Sequence, residues 1–326
     1  GVGIGGIGQV LIHVPSMVSA GYSLRPQFDF RDPHFRSILK RWIPVVSTAS
    51  VFVVNQQIAL FFASGLDDGS GSAMTNALVF WQLPFGIFSA SITTVLFPAM
   101  SRHFAEQDLG ELRETVLSGL RGLILLLVPA GVGLIVLGRP MIAVALQRGA
   151  FTPEATRLAA EVLAWYSVGL FSVGAFTFLQ RFFYACDDYR TPLRIAAITV
   201  VLDVGLSLWL KETRLRVAGL SLANSAAFTI GLVLMLRSAR RAAGAIPLRS
   251  LIPSMLRAAA ASLAALLAVW VVRAVMIRAG LGEWSLAGSS LRNFGLFLLE
   301  ALPASAALVG AYHVMGINLR RLLRGH

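Results

Sequence analysis

Long apolar stretches separated by short polar segments run through the whole chain. A helix needs about 20 mostly apolar residues to cross a membrane, and most of these stretches reach that length. The pattern predicts eight full spans, over 42–64, 73–100, 116–147, 155–185, 192–210, 217–236, 254–277 and 291–315. Residues 1–20 are also apolar and helix-like, and we expect them to be the end of a truncated membrane helix.

The composition supports a membrane protein. Hydrophobic residues make up 56% of the 326 residues and charged residues only 13%, whereas a soluble domain has about 25% charged residues. This balance excludes a soluble globular enzyme and a disordered chain. The formal net charge is +12, but the basic residues lie between apolar runs. They therefore indicate membrane orientation, and no nucleic-acid partner is expected.

The basic residues also predict an orientation. Seventeen of the Lys and Arg residues lie in one alternating set of loops, against six in the other set. The richer set should be cytoplasmic, which places the loop 21–41, the basic loop 237–253 and the tail 317–326 inside the cell. The loop 65–72 has no basic residue and should face outward. The basic loop 211–216, on the outer side, runs against this trend.

Prolines interrupt two consecutive predicted spans. Pro84 and Pro98 lie in the second span, and Pro129 and Pro140 in the third, which is too long for one straight crossing. Proline removes a helical hydrogen bond, so we expect the third span to bend or break. Four prolines in two neighbouring spans favour bent helices that line a cavity. In the fifth span, Thr191 is a plausible N-cap, with Pro192 at the first helical position.

Asp203 is the most informative single residue, because it lies inside the fifth predicted span. A carboxylate at the centre of a membrane helix costs about 2.5–3.5 kcal/mol on insertion scales, and such residues usually face a bundle interior or a wet cavity. Ser207 follows one turn later on the same face, and the next span carries Asn224 and Ser225. These oxygens suit a small hard cation or a proton. The alternative is a hydrogen-bonded Asp that only joins helices.

Other polar side chains inside the spans are candidates for a cavity wall. Three consecutive amides, Asn55 to Gln57, fan around about 200° of the first span and cannot all face lipid. Hydrogen bonding between helices is the equally open alternative, and it applies to Asn76 and Gln82 as well. Arg181 and Arg273 lie near span ends, where reaching towards the interface is the expected behaviour, and Arg181 could also meet an anionic headgroup. The candidate cavity residues are Asn55, Gln57, Asn76, Gln82 and Arg181.

Catalytic and metal-binding signatures are lacking in the sequence. The single cysteine, Cys186, cannot form an internal disulfide. The five histidines form no HExxH motif, and there is no P-loop. We therefore expect no enzyme, no metal site and no cofactor other than a bound monovalent cation.

Several segments closely resemble the MurJ (MviN) family of lipid II flippases, in the MOP exporter superfamily. The segments are QLPFGIFSASITTVLFPAMSRH (82–103), QRGAFT (147–152), FFYACDDYRTP (182–192), AGLSLANS (218–225) and the SAGYSLRPQFDFRDP run (19–33). They occur in the family's order and spacing up to about residue 241. The last two spans match the family only in number and hydropathy.

The resemblance implies an all-α polytopic helical bundle, a MOP/MATE-like fold of two six-helix lobes plus two extra C-terminal helices. On that map, residues 1–20 end the sixth helix and 21–41 form a cytoplasmic loop. Residues 42–236 form the second lobe, 237–253 a basic loop, 254–316 the two extra helices and 317–326 a cytoplasmic tail. The first lobe of the same protein would be an additional partner.

The resemblance also implies a function in the bacterial cytoplasmic membrane. The family moves lipid II from the inner to the outer leaflet by alternating access between lobes, and ion or potential coupling would act through Asp203. The family usually carries an arginine where this chain has Val79. That departure keeps two alternatives open: a flippase for another polyprenyl-linked glycan, or a non-transporting membrane scaffold of envelope biogenesis.

Overall fold

The computed structural model describes residues 2–19, 21, 32–244, 246–280 and 290–317. These residues are almost entirely helical and contain no β-strand. They form helices α1 Val2–Ser19, α2 Pro33–Ser64, α3 Ser70–Pro84, α4 Ala90–Ala105, α5 Leu109–Leu146, α6 Pro153–Val168, α7 Leu170–Ala185, α8 Arg190–Leu210, α9 Val217–Ala242, α10 Ile252–Arg278 and α11 Ser290–Val314.

The chain divides into two compact units. The first, Gly1–Ile43, holds α1 and the beginning of α2. The second, Pro44–His326, holds the rest of α2 and all later helices. Every site discussed below lies within the second unit.

The predicted all-α membrane fold is confirmed. Seven helical segments of the described residues are long and apolar enough to cross a membrane, and an eighth is formed by α6 and α7 together. Each of the eight predicted spans corresponds to one of these segments. They are Val45–Ser64, Ser70–Ala105, Leu109–Leu146, Arg190–Leu210, Val217–Ala242, Leu248–Arg278, Asn293–Val314 and the bent pair Pro153–Ala185.

The ends of several helices differ from the prediction. Helix α2 begins at Pro33, so residues 33–41 are helical and not part of a loop. Helix α9 continues to Ala242 and takes in the first basic residues of the predicted loop 237–253. In both cases polar and basic residues continue the helix beyond its apolar stretch. Hydropathy marks only the apolar stretch, so it does not detect these extensions. The tail 317–326 lies outside the described residues apart from Ile317.

Local capping sets where several helices begin. The Thr152 hydroxyl accepts a hydrogen bond of 3.2 Å from the backbone N–H of Ala155 at the start of α6, and Pro153 follows it. At the start of α8 the cap is not Thr191, as predicted. The Asp188 carboxylate instead accepts the N–H groups of Arg190 and Thr191, at 3.1 and 3.0 Å. One oxygen of the Asp188 carboxylate thus satisfies two of the free N–H groups at the beginning of α8.

The prolines affect the helices in two different ways. After Pro84 the backbone forms a π-helical turn over Phe85–Ser89 before α4 begins, a common way of absorbing a missing hydrogen bond. Helix α5, in contrast, is one continuous helix of 38 residues with Pro129 and Pro140 inside it. The expected break in the third span is therefore absent.

The predicted fourth span is broken instead, at a glycine. Helices α6 and α7 meet at Gly169 with a bend of 48°. A Cβ atom at Gly169 would lie 2.7 Å from the Cα atom of Ser225 in α9. The close crossing of α9 at this bend therefore requires a residue without a side chain at position 169.

Aromatic side chains pack at the centre of the second unit. The rings of Phe52, Phe176 and Phe228 lie 5.3–5.9 Å apart, centre to centre, and join α2, α7 and α9. Such pairs contribute about 0.5–1.5 kcal/mol beyond the area that they bury. Helix α5 contacts α4, α6 and α7 and also α10 and α11. The aromatic cluster thus holds three helices around the functional residues.

Candidate functional site

Asp203 lies at the centre of a buried polar cluster. Its side chain is only 3% exposed. Its Oδ2 atom accepts hydrogen bonds from Nδ2 of Asn55 at 2.7 Å and from Nδ2 of Asn224 at 3.0 Å. Oδ1 faces the hydroxyl of Ser207 at 3.4 Å. Three helices, α2, α8 and α9, therefore meet at one carboxylate.

Neutral amide and hydroxyl groups form the hydrogen bonds to this carboxylate. Among the described residues, no Lys, Arg or His forms an ion pair with Asp203. Amide and hydroxyl donors stabilise a buried charge less than a full counter-charge does. This chemistry is compatible with two roles for Asp203. The carboxylate could bind a small cation or a proton, or it could serve only to join helices by hydrogen bonds.

Ser225 does not belong to the cluster, although the sequence places it next to Asn224. Its hydroxyl donates to the carbonyl oxygen of Trp165 at 2.6 Å and approaches that of Tyr166 at 3.4 Å. Consecutive helical residues point about 100° apart. When Asn224 faces Asp203, Ser225 must face the bend between α6 and α7, so its predicted place in the cation site is corrected.

A cavity of about 410 Å³ lies beside the cluster. Its wall combines five aromatic rings with seven polar or charged side chains and three aliphatic ones. The wall residues are Phe52, Asn55, Gln56, Ala59, Leu78, Trp81, Gln82, Phe85, Tyr166, Val173, Thr177, Gln180, Arg181, Asn224 and Phe228. A mostly apolar pocket with a few convergent polar groups is typical of ligand sites.

Two of these residues connect the cavity to the buried carboxylate. Asn55 and Asn224 are both wall residues, and both donate to Oδ2 of Asp203. A molecule in the cavity can therefore compete for the same amide groups that hold the carboxylate. This arrangement links occupancy of the cavity to the environment of Asp203.

The structure places three of the five predicted cavity residues on the wall: Asn55, Gln82 and Arg181. Gln57 is exposed and lies away from the wall, whereas Gln56 lines it. Gln57 stands about 200° around the helix from Asn55, and Gln56 only about 100°. Asn76 also lies off the wall, because its amide donates to the carbonyl oxygen of Ser72 at 2.9 Å.

The aromatic part of the wall was not predicted from the sequence. The indole Nε1 of Trp81 donates to the carbonyl oxygen of Tyr166 at 3.0 Å. Its ring stacks on that of Phe85, at 4.9 Å between centres. At the end of α6, the Tyr166 carbonyl accepts both this indole and the N–H of Gly169, and the Trp165 carbonyl accepts the Ser225 hydroxyl. The glycine flanked by aromatic residues was the available signal.

Arg181 supplies the positive charge on the wall. It is the only Lys or Arg among the wall residues. Its guanidinium lies 5.9 Å from the ring centre of Tyr184, and the Tyr184 hydroxyl accepts a hydrogen bond of 2.7 Å from Gln180. An arginine held over an aromatic ring is well suited to an anionic group, because it is weakly hydrated and forms directed hydrogen bonds.

Val79 is not part of this wall. Its side chain is 56% exposed, and its neighbours Leu78 and Gln82 line the cavity instead. The resemblance leads one to expect an arginine at this position, and Val79 carries no charge.

Solved structures of a MurJ flippase and of a MATE transporter have a similar fold. A lipid II flippase MurJ in an inward closed conformation matches 95% of this chain and 61% of its own, with a TM-score of 0.66 and 23% identity. An outward-facing multidrug resistance MATE transporter matches 85% of this chain and 64% of its own, with a TM-score of 0.54 and 20% identity. At these identities the likeness shows a shared fold.

Curated relatives share more sequence. The probable lipid II flippase MurJ of Borreliella burgdorferi is 27% identical over 98% of this chain and 61% of its own length. That of Vibrio cholerae is 34% identical over 64% of this chain and 39% of its own. This chain thus spans less than two thirds of these relatives.

A family model described as lipid II flippase MurJ matches residues 1–288, most of the chain. The match and the apolar helices indicate a multi-pass protein of the inner membrane. This chain belongs to the MurJ family of lipid II flippases.

Proposed function

We propose that this chain is the C-terminal part of a lipid II flippase, which moves the lipid-linked peptidoglycan precursor from the inner to the outer leaflet. One observation carries the proposal. Asn55 and Asn224 line a 410 Å³ cavity and also bond the buried carboxylate of Asp203. Residues shared by a cargo cavity and an ion site allow binding at one site to change the affinity of the other, which is what coupling requires.

The cavity wall suits the polar headgroup of a prenyl-linked glycan. Arg181 offers a cation for the pyrophosphate, and the amides of Gln56 and Gln82 offer hydrogen bonds for sugars. Aromatic rings such as Trp81 provide flat faces for the sugar rings. The prenyl tail would stay in lipid while the headgroup crosses. Alternating access would occur between this lobe and the N-terminal lobe of the same protein.

The coupling ion would bind at Asp203. A carboxylate, two amide groups and the Ser207 hydroxyl give four oxygen-bearing side chains around one point. An amide presents either its NH2 group or its carbonyl oxygen, depending on a half-turn of the side chain. With both oxygens turned inward, the set suits a monovalent hard cation. A proton on the carboxylate is the other coupling ion that this chemistry allows.

Transport by the whole protein in lipid vesicles tests the proposal. Vesicles would carry fluorescent lipid II and an imposed Na⁺, K⁺ or H⁺ gradient. Asp203→Asn should abolish the gradient-dependent part of flipping while leaving folding and insertion intact. Asp68→Asn, on an exposed loop residue, is the matched control. Undiminished gradient-dependent transport in Asp203→Asn would remove Asp203 from the coupling step.

The cargo is tested separately at Arg181. Arg181→Gln should slow flipping of lipid II strongly, and Arg181→Lys should retain more of it, because a cation is kept. Rescue of cells depleted of their lipid II flippase gives the cellular readout. A protein that inserts normally but neither rescues the cells nor flips lipid II would be a scaffold. Flipping of another polyprenyl-linked glycan alone would assign a different cargo.

A further inference from the structure

The two prolines of α5 each leave one backbone carbonyl without its helical donor. Proline has no N–H, so the carbonyl four residues earlier cannot accept the usual bond. For Pro129 that carbonyl belongs to Leu125, and for Pro140 it belongs to Val136. Inside a membrane an unsatisfied carbonyl is especially costly, because no water is present to replace the donor.

Both carbonyls receive a side-chain donor, and both donors come from the last two helices. The Tyr312 hydroxyl of α11 donates to the Leu125 carbonyl oxygen at 2.5 Å. Nη2 of Arg273, in α10, donates to the Val136 carbonyl oxygen at 2.9 Å. Each donor thus meets the one carbonyl that its proline frees. We call α10 and α11 together the C-terminal brace.

Arg273 also ties the two helices of the brace together. Its Nε and Nη2 atoms donate to the two carboxylate oxygens of Glu300, both at 2.9 Å. Glu300 is fully buried within α11. Arg273 therefore does not reach for the interface, as its place near a span end suggested. It turns inward and joins α5, α10 and α11 through one guanidinium.

The braced part of α5 packs against α6, which contributes Tyr166 to the cavity wall. A Cβ atom at Gly131, two residues after Pro129, would lie 2.8 Å from the carbonyl oxygen of Ser167. A Cβ atom at Gly138, just before Pro140, would lie 3.1 Å from the Leu163 side chain. Both contacts fall on α6, close to Tyr166 of the cavity wall. The path of α5 at its prolines therefore sets the position of α6.

We propose that Tyr312 and Arg273 are positioning residues. They supply donors to the two carbonyls that Pro129 and Pro140 leave free, and thereby fix the path of α5 against α6. Without the brace, α5 flexes at both prolines and α6 loses its fixed support. This role does not depend on which cargo or ion the cavity takes, since it concerns the shape of one helix.

A crossed set of double mutants tests the pairing in the purified whole protein in nanodiscs. Pro129→Ala restores the missing N–H, so Leu125 no longer needs the tyrosine. Tyr312→Phe should lower the unfolding midpoint by roughly 2–4 °C with Pro129 present, and by much less with Pro129→Ala. The matched control is Pro140→Ala, in which Tyr312→Phe should keep its full effect.

The same cycle applies to Arg273 with the proline roles exchanged. Arg273→Gln is combined with Glu300→Gln, so that no buried charge is left unpaired. Its effect should shrink in Pro140→Ala and persist in Pro129→Ala. Equal effects of each donor variant in all three backgrounds would overturn the proposal, because the donors would then act without reference to the prolines.

A distance measurement along α5 needs no proline variant. It therefore tests the proposal even if the proline variants fail to fold. Spin labels at Glu111→Cys, in the first turn of α5, and Arg148→Cys, two residues after its end, report the distance spanned by α5, with Cys186→Ser removing the native thiol. Tyr312→Phe should broaden or shift the distance distribution. A distribution identical to that of the parent protein would overturn the claim that the brace fixes the path of α5.

Discussion

Nδ2 of Asn55 donates a hydrogen bond of 2.7 Å to Oδ2 of Asp203, and this bond ties α2 to α8 beside the cavity. Both residues are more than nine-tenths buried. The bond is charge-assisted when the carboxylate is ionised, and such bonds are roughly twice as strong as neutral ones. The ionisation state of Asp203 therefore influences how strongly α2 is bound to α8. Helix α2 supplies three wall residues besides Asn55.

Replacing Asn55 should show this coupling directly. Asn55→Ala leaves one acceptor site of a buried carboxylate unfilled, so we expect a loss of about 1–3 kcal/mol in the free energy of unfolding. In an Asp203→Asn background the same change should cost less, since a neutral amide needs the donor less. Thermal unfolding in nanodiscs measures both values. Gln57→Ala, on the exposed side of the same helix, should change stability little.

Gly169 should be intolerant of any side chain. Gly169→Ala would place Cβ 2.6 Å from Oγ and 2.7 Å from Cα of Ser225, and the backbone atom cannot move aside alone. Overpacking of this kind typically costs about 1–3 kcal/mol. The control is Gly205→Ala in α8, where nothing lies within 4 Å of the added atom. It should be neutral or stabilise by about 0.5–1 kcal/mol, because alanine favours a helix. Equal midpoints for the two variants would contradict the close crossing of α9.

The number of membrane segments was predictable because it follows from the length and hydropathy of the apolar stretches. The partners of individual side chains were not. A polar residue inside a span predicts that its side chain has a hydrogen-bond partner, and this holds for Asp203 and Asn224. Which neighbour it meets depends on helix rotation, and this separates Gln56 from Gln57 and Asn224 from Ser225.

Backbone partners are harder still to foresee. Pro129 and Pro140 predicted two freed carbonyls and hence a bend or break, yet α5 stays continuous. The missing donors come from Tyr312 and Arg273, far along the chain. No local pattern marks a tyrosine as the donor for a distant carbonyl. The need for glycine at position 169 likewise arises from the crossing of α9, a tertiary contact.

Arg216 should respond differently to glycine and to alanine. Its backbone has a φ of 47°, which favours glycine, and its guanidinium pairs with Asp67 of the α2–α3 loop. The hydrogen bond and charge of Asp67 raise the pKa of Arg216 further, so the arginine stays charged at all ordinary pH values. Both partners are more than half exposed, and exposed ion pairs stabilise little.

Arg216→Gly should therefore keep or raise the unfolding midpoint, because the backbone strain is relieved. Arg216→Ala keeps the strain, loses the ion pair, and should lower the midpoint. Asp67→Asn removes only the pair and should have a small effect that fades at high salt. A glycine variant less stable than the alanine variant would mean that the ion pair matters more than the backbone.

Single cysteines should settle the orientation of the loops. Asp68→Cys lies on an exposed loop without basic residues, and Glu106→Cys lies on an exposed turn flanked by Arg102 and Arg113. If the basic loops are cytoplasmic, a membrane-impermeant maleimide should label Asp68→Cys in intact cells. It should label Glu106→Cys only after permeabilisation. Cys186→Ser in both proteins removes the native thiol. The reverse labelling would invert the orientation, place the C-terminus outside, and require Arg181 to meet the headgroup from the other leaflet.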